Sequence, residues 1–284
     1  MLLQQIVNGL ASGGIYTLVA LGLTLVYGVL KILHIAHAGI YALGAYLALI
    51  AYKIYPNIYF AFLFAMVGAS LAGYIVQRYL YWPLLDKPRI VPLIASIGLF
   101  LALEELYRLI WGPYVIPFPR VFHWKTFSVG HIRFPGADLF VFGVSLLFLF
   151  LLYWLVNKTR IGLAMRAVAD DKEVAEASGI NSKMTIALSF VIGSALAGAA
   201  GLMVGVYYNS IYPTMGDVPA YKSLAVIVVG GMGSIEGTVL AGFGLGLLEA
   251  LLLGYLPFAF PRDALAFIAM IAFLLIKPEG IFGK

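Results

Sequence analysis

Two histidines three residues apart, His34 and His37, stand in a run otherwise made of apolar residues and glycine. On a helix that spacing puts both rings on one face, where they could hold a metal ion or relay protons. With no third ligand in sight, a polar lining at a helix break is the plainer use of the pair. Glu104 and Glu105 precede Arg108 by four and three residues, the geometry of local ion pairs on a helix. Glu236 follows a glycine-rich run and Glu249 stands alone in apolar sequence. Ionisable residues in such surroundings are candidates for a path through a membrane. Glu236 is expected to cap a broken half-helix and Glu249 to face a bundle interior. The densest chemistry lies in Asn157–Lys183, NKTRIGLAMRAVADDKEVAEASGINSK, where nine of 27 residues are charged. Its acidic cluster Asp170, Asp171, Glu173 and Glu176 is mixed with Arg166 and Lys172, the make-up of either a solvated loop or a docking surface.

The flanks of that island decide what must position it. Leu139–Val156 has 18 residues without a formal charge, and Met184–Gly216 has none. A hydrocarbon core about 30 Å thick takes roughly 20 helical residues, so both runs are long enough to cross it. The whole chain is 63% hydrophobic and 11% charged, with mean hydropathy +0.99, where a soluble domain carries about 25% charged residues. This is an all-α polytopic membrane protein, because lipid offers backbone groups no partners and the runs are too continuous for alternating barrel strands. Residues 1–284 read as a single transmembrane domain without a linker, and the first 30 residues lack the basic start and short apolar core of a cleavable signal. A net charge of +5 fits the excess of basic residues on cytoplasmic loops, and no nucleic-acid partner is expected. The absence of cysteine excludes disulfides, thiol catalysis and cysteine metal sites.

Apolar blocks fall at about 4–30, 32–52, 57–77, 90–110, 138–156, 185–208, 222–256 and 263–276. The block at 222–256 is long enough for two crossings, broken near Gly230, Gly231, Gly233 and Ser234, so about 8–9 transmembrane helices are expected. With the island at 157–183 in the cytoplasm, alternation places 11 of the 18 Lys and Arg residues inside, the N-terminus outside and the C-terminus in the cytoplasm. Lys222 falls among the seven on the other side. The loop 113–137 has four prolines and six aromatics, Tyr114, Phe118, Phe122, Trp124, Phe127 and Phe134, and reads as an ordered cap on the outer face. Small residues recur every fourth position at Gly193, Ala197, Gly201 and Gly205, at Gly68 and Ala72, and at Gly242 and Gly246, marking close helix contacts.

Within the island, Leu163–Ser178 has neither Pro nor Gly and predicts a short surface helix stopped by Gly179. The spacing Glu173-Val174-Ala175 then Gly179 resembles the EAA-xxx-G loop through which importer permeases of the ABC class dock their ATPases, without the usual downstream Ile-x-Leu-Pro. Further segments resemble the branched-chain amino-acid permease family, the LivH type, over nearly the whole chain. They are Asn8–Gly28, Arg160–Asp171, Gly179–Asn181, Ser189–Gly198, Gly230-Gly-Met-Gly-Ser-Ile-Glu-Gly237 and the tail Lys277–Gly283. Where the family's second span opens with a pattern like Asn-Phe-Ala-His-Gly-Glu, this chain reads His34-Ile-Ala-His37-Ala-Gly39, which leaves related substrates such as urea or short amides open.

The resemblance implies a permease subunit of an ATP-driven importer in the plasma (inner) membrane of a prokaryote. It implies a second, different permease, two cytoplasmic ATPase subunits and an external substrate-binding protein. Arg166, Asp170, Asp171, Glu173, Glu176 and Gly179 would then couple to the ATPases. His34, His37, Gly230, Gly231, Gly233, Ser234 and Glu236 are the candidates for the translocation pathway. No G-xxxx-GK[ST] phosphate loop occurs, so the chain is expected to bind no cofactor itself, with ATP and magnesium on the partner ATPases. A self-contained secondary transporter would fit the glycine-rich break but leave the island unexplained. A membrane enzyme would need a catalytic constellation that the sequence lacks.

Overall fold

The computed structural model describes residues 2–121, 127–129, 132–255, 264–277 and 279–282. Helix α1 (Leu2–Leu30) is followed by a non-helical stretch at 31–36 and by α2 (His37–Ile54). Helix α3 (Ile58–Val76) runs on through a π turn and a 3-10 turn to Leu84, and α4 covers Ile90–Trp111. After β1 (Ile116–Pro117), β2 (Phe127–Val129) and β3 (Ile132–Phe134) come α5 (Gly136–Lys158), α6 (Arg160–Asp170) and α7 (Lys172–Ala177). Helix α8 (Ser182–Tyr208), β4 (Ser210–Ile211), a 3-10 turn at Pro213–Gly216, α9 (Asp217–Gly230), α10 (Ile235–Tyr255) and α11 (Ala264–Ile276) complete the order. Among the described residues seven helical segments are long and apolar enough to cross a membrane. Helices α9 and α11, at 14 and 13 residues, are shorter. Counting each as a crossing gives nine, the top of the expected range.

Helix α8 is the axis around which the others pack. Its small-residue stripe removes the side chains that would hold neighbours at a distance, so backbones approach closely. Gly193 lies on the backbone of Gly22 in α1, Gly198 on Ala65 in α3 and Gly44 in α2, and Gly201 on Tyr41 and Ala45 in α2. Helix α1 packs antiparallel on α10 in the same way, with Gly9 on Leu247, Gly13 on Phe243, and Thr17 on Gly242. By contrast α3, α4 and α5 expose large apolar side chains such as Leu63, Ile94, Leu109 and Phe150, as lipid-facing helices do.

Three expectations are corrected. The helix of the block at 32–52 starts later than the block, with a break at the histidines: Lys31 adopts a left-handed conformation, φ 55°, and α2 begins only at His37. Lys222 is not a loop residue but lies buried within α9, where a partner described below balances its charge. Finally, the surface helix expected over Leu163–Ser178 is divided. Asp171 takes an extended conformation and its carboxylate accepts from the N–H groups of Glu173 and Val174, at 2.8 and 3.0 Å, capping α7. A short acidic side chain that bonds its own downstream backbone competes with helix continuation. Helix α7 ends where Gly179 (φ 84°) donates to Glu176 O and Ile180 donates to Ala175 O, at 2.9 and 3.0 Å. That is the double closure of a Schellman stop, and glycine takes the left-handed position at no steric cost.

The loop after α4 folds back onto the bundle. Strand β1 pairs with β4, and buried Phe118 fills the space above Gly205. Tyr114 is exposed, while Phe122 and Trp124 lie outside the described residues. At the other end of the bundle the tail closes on the α9–α10 turn, where Ile281 donates to Val229 O and Phe282 to Gly230 O, at 2.8 and 3.1 Å.

Two substitutions test this packing. Gly44→Leu, driven into the Gly198 backbone, is expected to cost about 1–3 kcal/mol and lower the melting midpoint in detergent by several degrees. Gly98→Leu on α4, where an added Cβ meets nothing within 4 Å, is expected to leave it unchanged; equal midpoints for the two would refute close packing on α8. Asp171→Ala is expected to cost about 1 kcal/mol of local stability, read as faster amide exchange at Glu173 and Val174.

Candidate functional site

The half of the bundle remote from α6 and α7 holds a cavity of about 340 Å³. Helix α1 lines it with Ser12, Ile15, Tyr16 and Val19, α2 with Tyr41, and the last turns of α8 with Val204 and Tyr208. The remaining wall is the connector after α8, through Ser210, Tyr212 and Met215, and the first turns of α9, through Val218, Pro219, Lys222 and Ser223. The chain makes this wall because Asn209 ends α8 in a left-handed conformation, φ 54°, and Pro213 opens a 3-10 turn. Gly216 then passes close against Ala38 O, so α9 starts inside the bundle and leaves a space above it.

A buried charge network stands at this wall. Lys222 Nζ lies 2.7 Å from Glu249 Oε1 on α10, and the two side chains are 1% and 0% exposed. Lys222 Nζ also donates to the Tyr16 hydroxyl at 3.1 Å, which in turn donates to Glu249 Oε2 at 2.9 Å. The ammonium lies 4.7 Å from the centre of the Tyr16 ring. Removing water from two charges is costly, and only close pairing with further hydrogen bonds offsets it; stripping one partner from such a pair costs about 3–5 kcal/mol. A lone base at the start and a lone acid within the apolar block 222–256 were the available signal. Nothing in the sequence said that α9 and α10 bring them together.

His34 and His37 sit deeper. Both are buried, and they border only a void of about 10 Å³ with Ala220, Ser223 and Leu224, about the room of one water. His34 Nδ1 shares a hydrogen bond of 2.7 Å with the Tyr81 hydroxyl, and its ring packs on Phe190. His37 Nε2 is 3.2 Å from Val19 O; a carbonyl only accepts, so that nitrogen carries the proton. Among the described residues no group of three His, Cys, Asp or Glu could hold a metal. Helices α1 and α8 meet beside His37 at Gly22, so the histidines belong to a closed layer under the cavity.

A second cavity, of about 720 Å³, opens at the α6–α7 end. It brings Gly233 and Ser234 of the α9–α10 turn beside Met165 and Arg166 of α6, Thr24 and Lys31, and Glu279 of the tail. Gly230 and Gly231 are buried behind that turn, Gly230 against Gly237 and Gly231 against Gly280. Ser234 Oγ accepts from Gly237 N–H at 3.1 Å, the capping bond expected of Glu236, whose side chain is exposed.

The island is fastened at both ends. Arg166 donates to Val156 O at the C-terminus of α5, where a cation suits the helix dipole. Ser182, in the first turn of α8, donates to Glu176, and Asn181 caps α8 through Met184 N–H at 3.0 Å. Asp170, Glu173, Val174 and Leu163 point outward and are exposed. At the opposite end of the bundle Arg108 pairs with Glu104 and Glu105 at 2.7 and 2.5 Å, a local cluster on α4 as its spacing implied.

Residues 5–276 match the family described as branched-chain amino acid transport system / permease component. The high-affinity branched-chain amino acid transport system permease protein BraD of Pseudomonas aeruginosa is 35% identical, over 99% of this chain and 96% of that protein. LivH of Escherichia coli, of the same description, is 33% identical over the same shares. Among solved structures, PsaBC from Streptococcus pneumoniae in complex with Fab superposes with a TM-score of 0.50 at 13% identity, covering 95% of this chain and 89% of that one, a likeness of fold alone. The chain belongs to the family of permease components of branched-chain amino acid transport systems.

Proposed function

We propose that this chain is one of two permease subunits of an ATP-driven importer for branched-chain or closely related amino acids. Two cytoplasmic ATPases move it and an external binding protein supplies it. The observation that carries the reading is the α6–α7 excursion, held to the ends of α5 and α8 while its outer surface is exposed. An exposed Val174 and Leu163 beside Asp170 and Glu173 offer an apolar centre with an acidic rim, which suits docking to a second protein. Helix α8 runs unbroken from that excursion to the cavity wall at Val204 and Tyr208, so displacement at one end is carried to the other.

For ATP to do work through this contact, docking must be stronger in one arrangement of the bundle than in the other. The two cavities and the closed layer at His34 and His37 between them then represent a state in which no continuous path joins the two sides. Placing the island in the cytoplasm follows from the basic loops and puts the N-terminus outside and the C-terminus inside. The partner permease is a different, longer chain on this reading, in line with the family resemblance. This chain would bind neither ATP nor magnesium, which belong to the ATPases.

Replacing Val174 with Arg and Glu173 with Lys together leaves the Asp171 cap and the Gly179 stop in place. The expected outcome is at least about tenfold weaker co-purification of the ATPase subunits, the effect of about 1.4 kcal/mol, with ATP-dependent uptake lost in proportion. Unchanged assembly and unchanged uptake would rule out docking at this surface.

A further inference from the structure

We infer that the cavity wall around Lys222 is a binding site for the charged head group of a zwitterionic amino acid, with Lys222 as the anchor for its carboxylate. This rests on the reading of the chain as an amino-acid permease and goes beyond it by assigning the site. Lys222 is 1% exposed yet lines the cavity, and Glu249 behind it holds the ammonium at the wall together with the Tyr16 hydroxyl. A pocket that already balances one positive and one negative charge admits a ligand of zero net charge without leaving either ion uncompensated. A cation or an anion of the same size would not have that property.

The polar atoms beside Lys222 complete the match. Ser12 Oγ donates to Asn8 O at 3.1 Å and Ser223 Oγ donates to Pro219 O at 2.6 Å. A hydroxyl has one proton to give, so toward the cavity both oxygens offer lone pairs, which accept from an ammonium. Lys222 has only donors, which suit a carboxylate. Ile15, Val19, Val204, Val218 and Met215 give the wall apolar surface for an aliphatic side chain, beside the rings of Tyr41, Tyr208 and Tyr212. The volume of about 340 Å³ is at the small end of ligand sites, in keeping with a single amino acid. Glu249 acts through Lys222 and is a positioning residue.

The test uses the complete transporter with its ATPases and binding protein in proteoliposomes, with radiolabelled leucine as the probe. Lys222→Met alone strands Glu249 and is expected to impair folding, so Lys222→Met combined with Glu249→Met is the informative variant. If the pair serves only packing, this double variant takes up leucine at the wild-type rate. On our inference it assembles with its ATPases like the wild type but loses about ten- to a hundredfold of uptake, the worth of one charged hydrogen bond. Leucine binding to the assembled wild-type transporter should also resist competition by 4-methylpentanoate and by 3-methylbutylamine, each of which carries half of the head group. Wild-type uptake by the double variant, or equal competition by either half-ligand, overturns the assignment while leaving the permease reading intact. A wild-type transporter that moves no amino acid with ATP overturns both.

Discussion

Close approach of helix backbones at α8 is the constraint on which the rest of the molecule depends. In lipid no hydrophobic force drives one helix toward another, so association rests on contact area and on polar bonds between helices. Helix α8 supplies contact area by having almost nothing on its faces: Gly193, Gly198 and Gly201 each meet the main chain of a different neighbour or pair of neighbours. Once α1, α2 and α3 are fixed against it, the positions of Val19, Tyr41 and Val204 follow, and these outline the cavity. The polar bonds are few and placed between the same elements, as with Thr24 and Thr238, whose hydroxyls are 2.8 Å apart.

Elements whose physics is local could be read from the amino-acid sequence. Glycines at 230, 231 and 233 announced the break between α9 and α10, Gly179 announced the stop of α7, and the spacing of Glu104, Glu105 and Arg108 announced their pairing. Features that arise from distant meetings were not legible. The partnership of Lys222 with Glu249 and Tyr16 joins three helices, and charge counting along the chain assigned Lys222 to a loop. A helix break at the histidine pair was expected, but its extent over 31–36 has no proline or glycine to mark it, and its bonds are tertiary: Ala36 N–H donates to Ser96 Oγ on α4 at 2.9 Å. The division at Asp171 was hidden because aspartate is tolerated inside helices as well as before them.

The two cavities lie at opposite ends and are separated by a closely packed layer that holds His34 and His37. Tyr81, Val19 and Ser96 take up one polar group each of His34, His37 and Ala36, while His34 Nε2 and His37 Nδ1 are buried without a hydrogen-bond partner. Such a layer is closed to water and ions as it stands. Opening it requires the helices that meet there to separate, rather than a single side chain to turn.

The tail that closes on the α9–α10 turn bears on which parts can separate. Its two bonds to Val229 O and Gly230 O satisfy carbonyls at the end of α9 that the helix itself leaves without donors. Breaking that clasp would leave both oxygens without a protein donor, so the tail ties the end of α9 and the turn to the end of α11. The far half of the α9–α10 hairpin carries Lys222, while its near half faces Met165 and Arg166 across the second cavity. On the proposed reading, a movement of α6 that closed this space would press on the hairpin as well as on α8, and so would reach the buried ammonium as well as Tyr208.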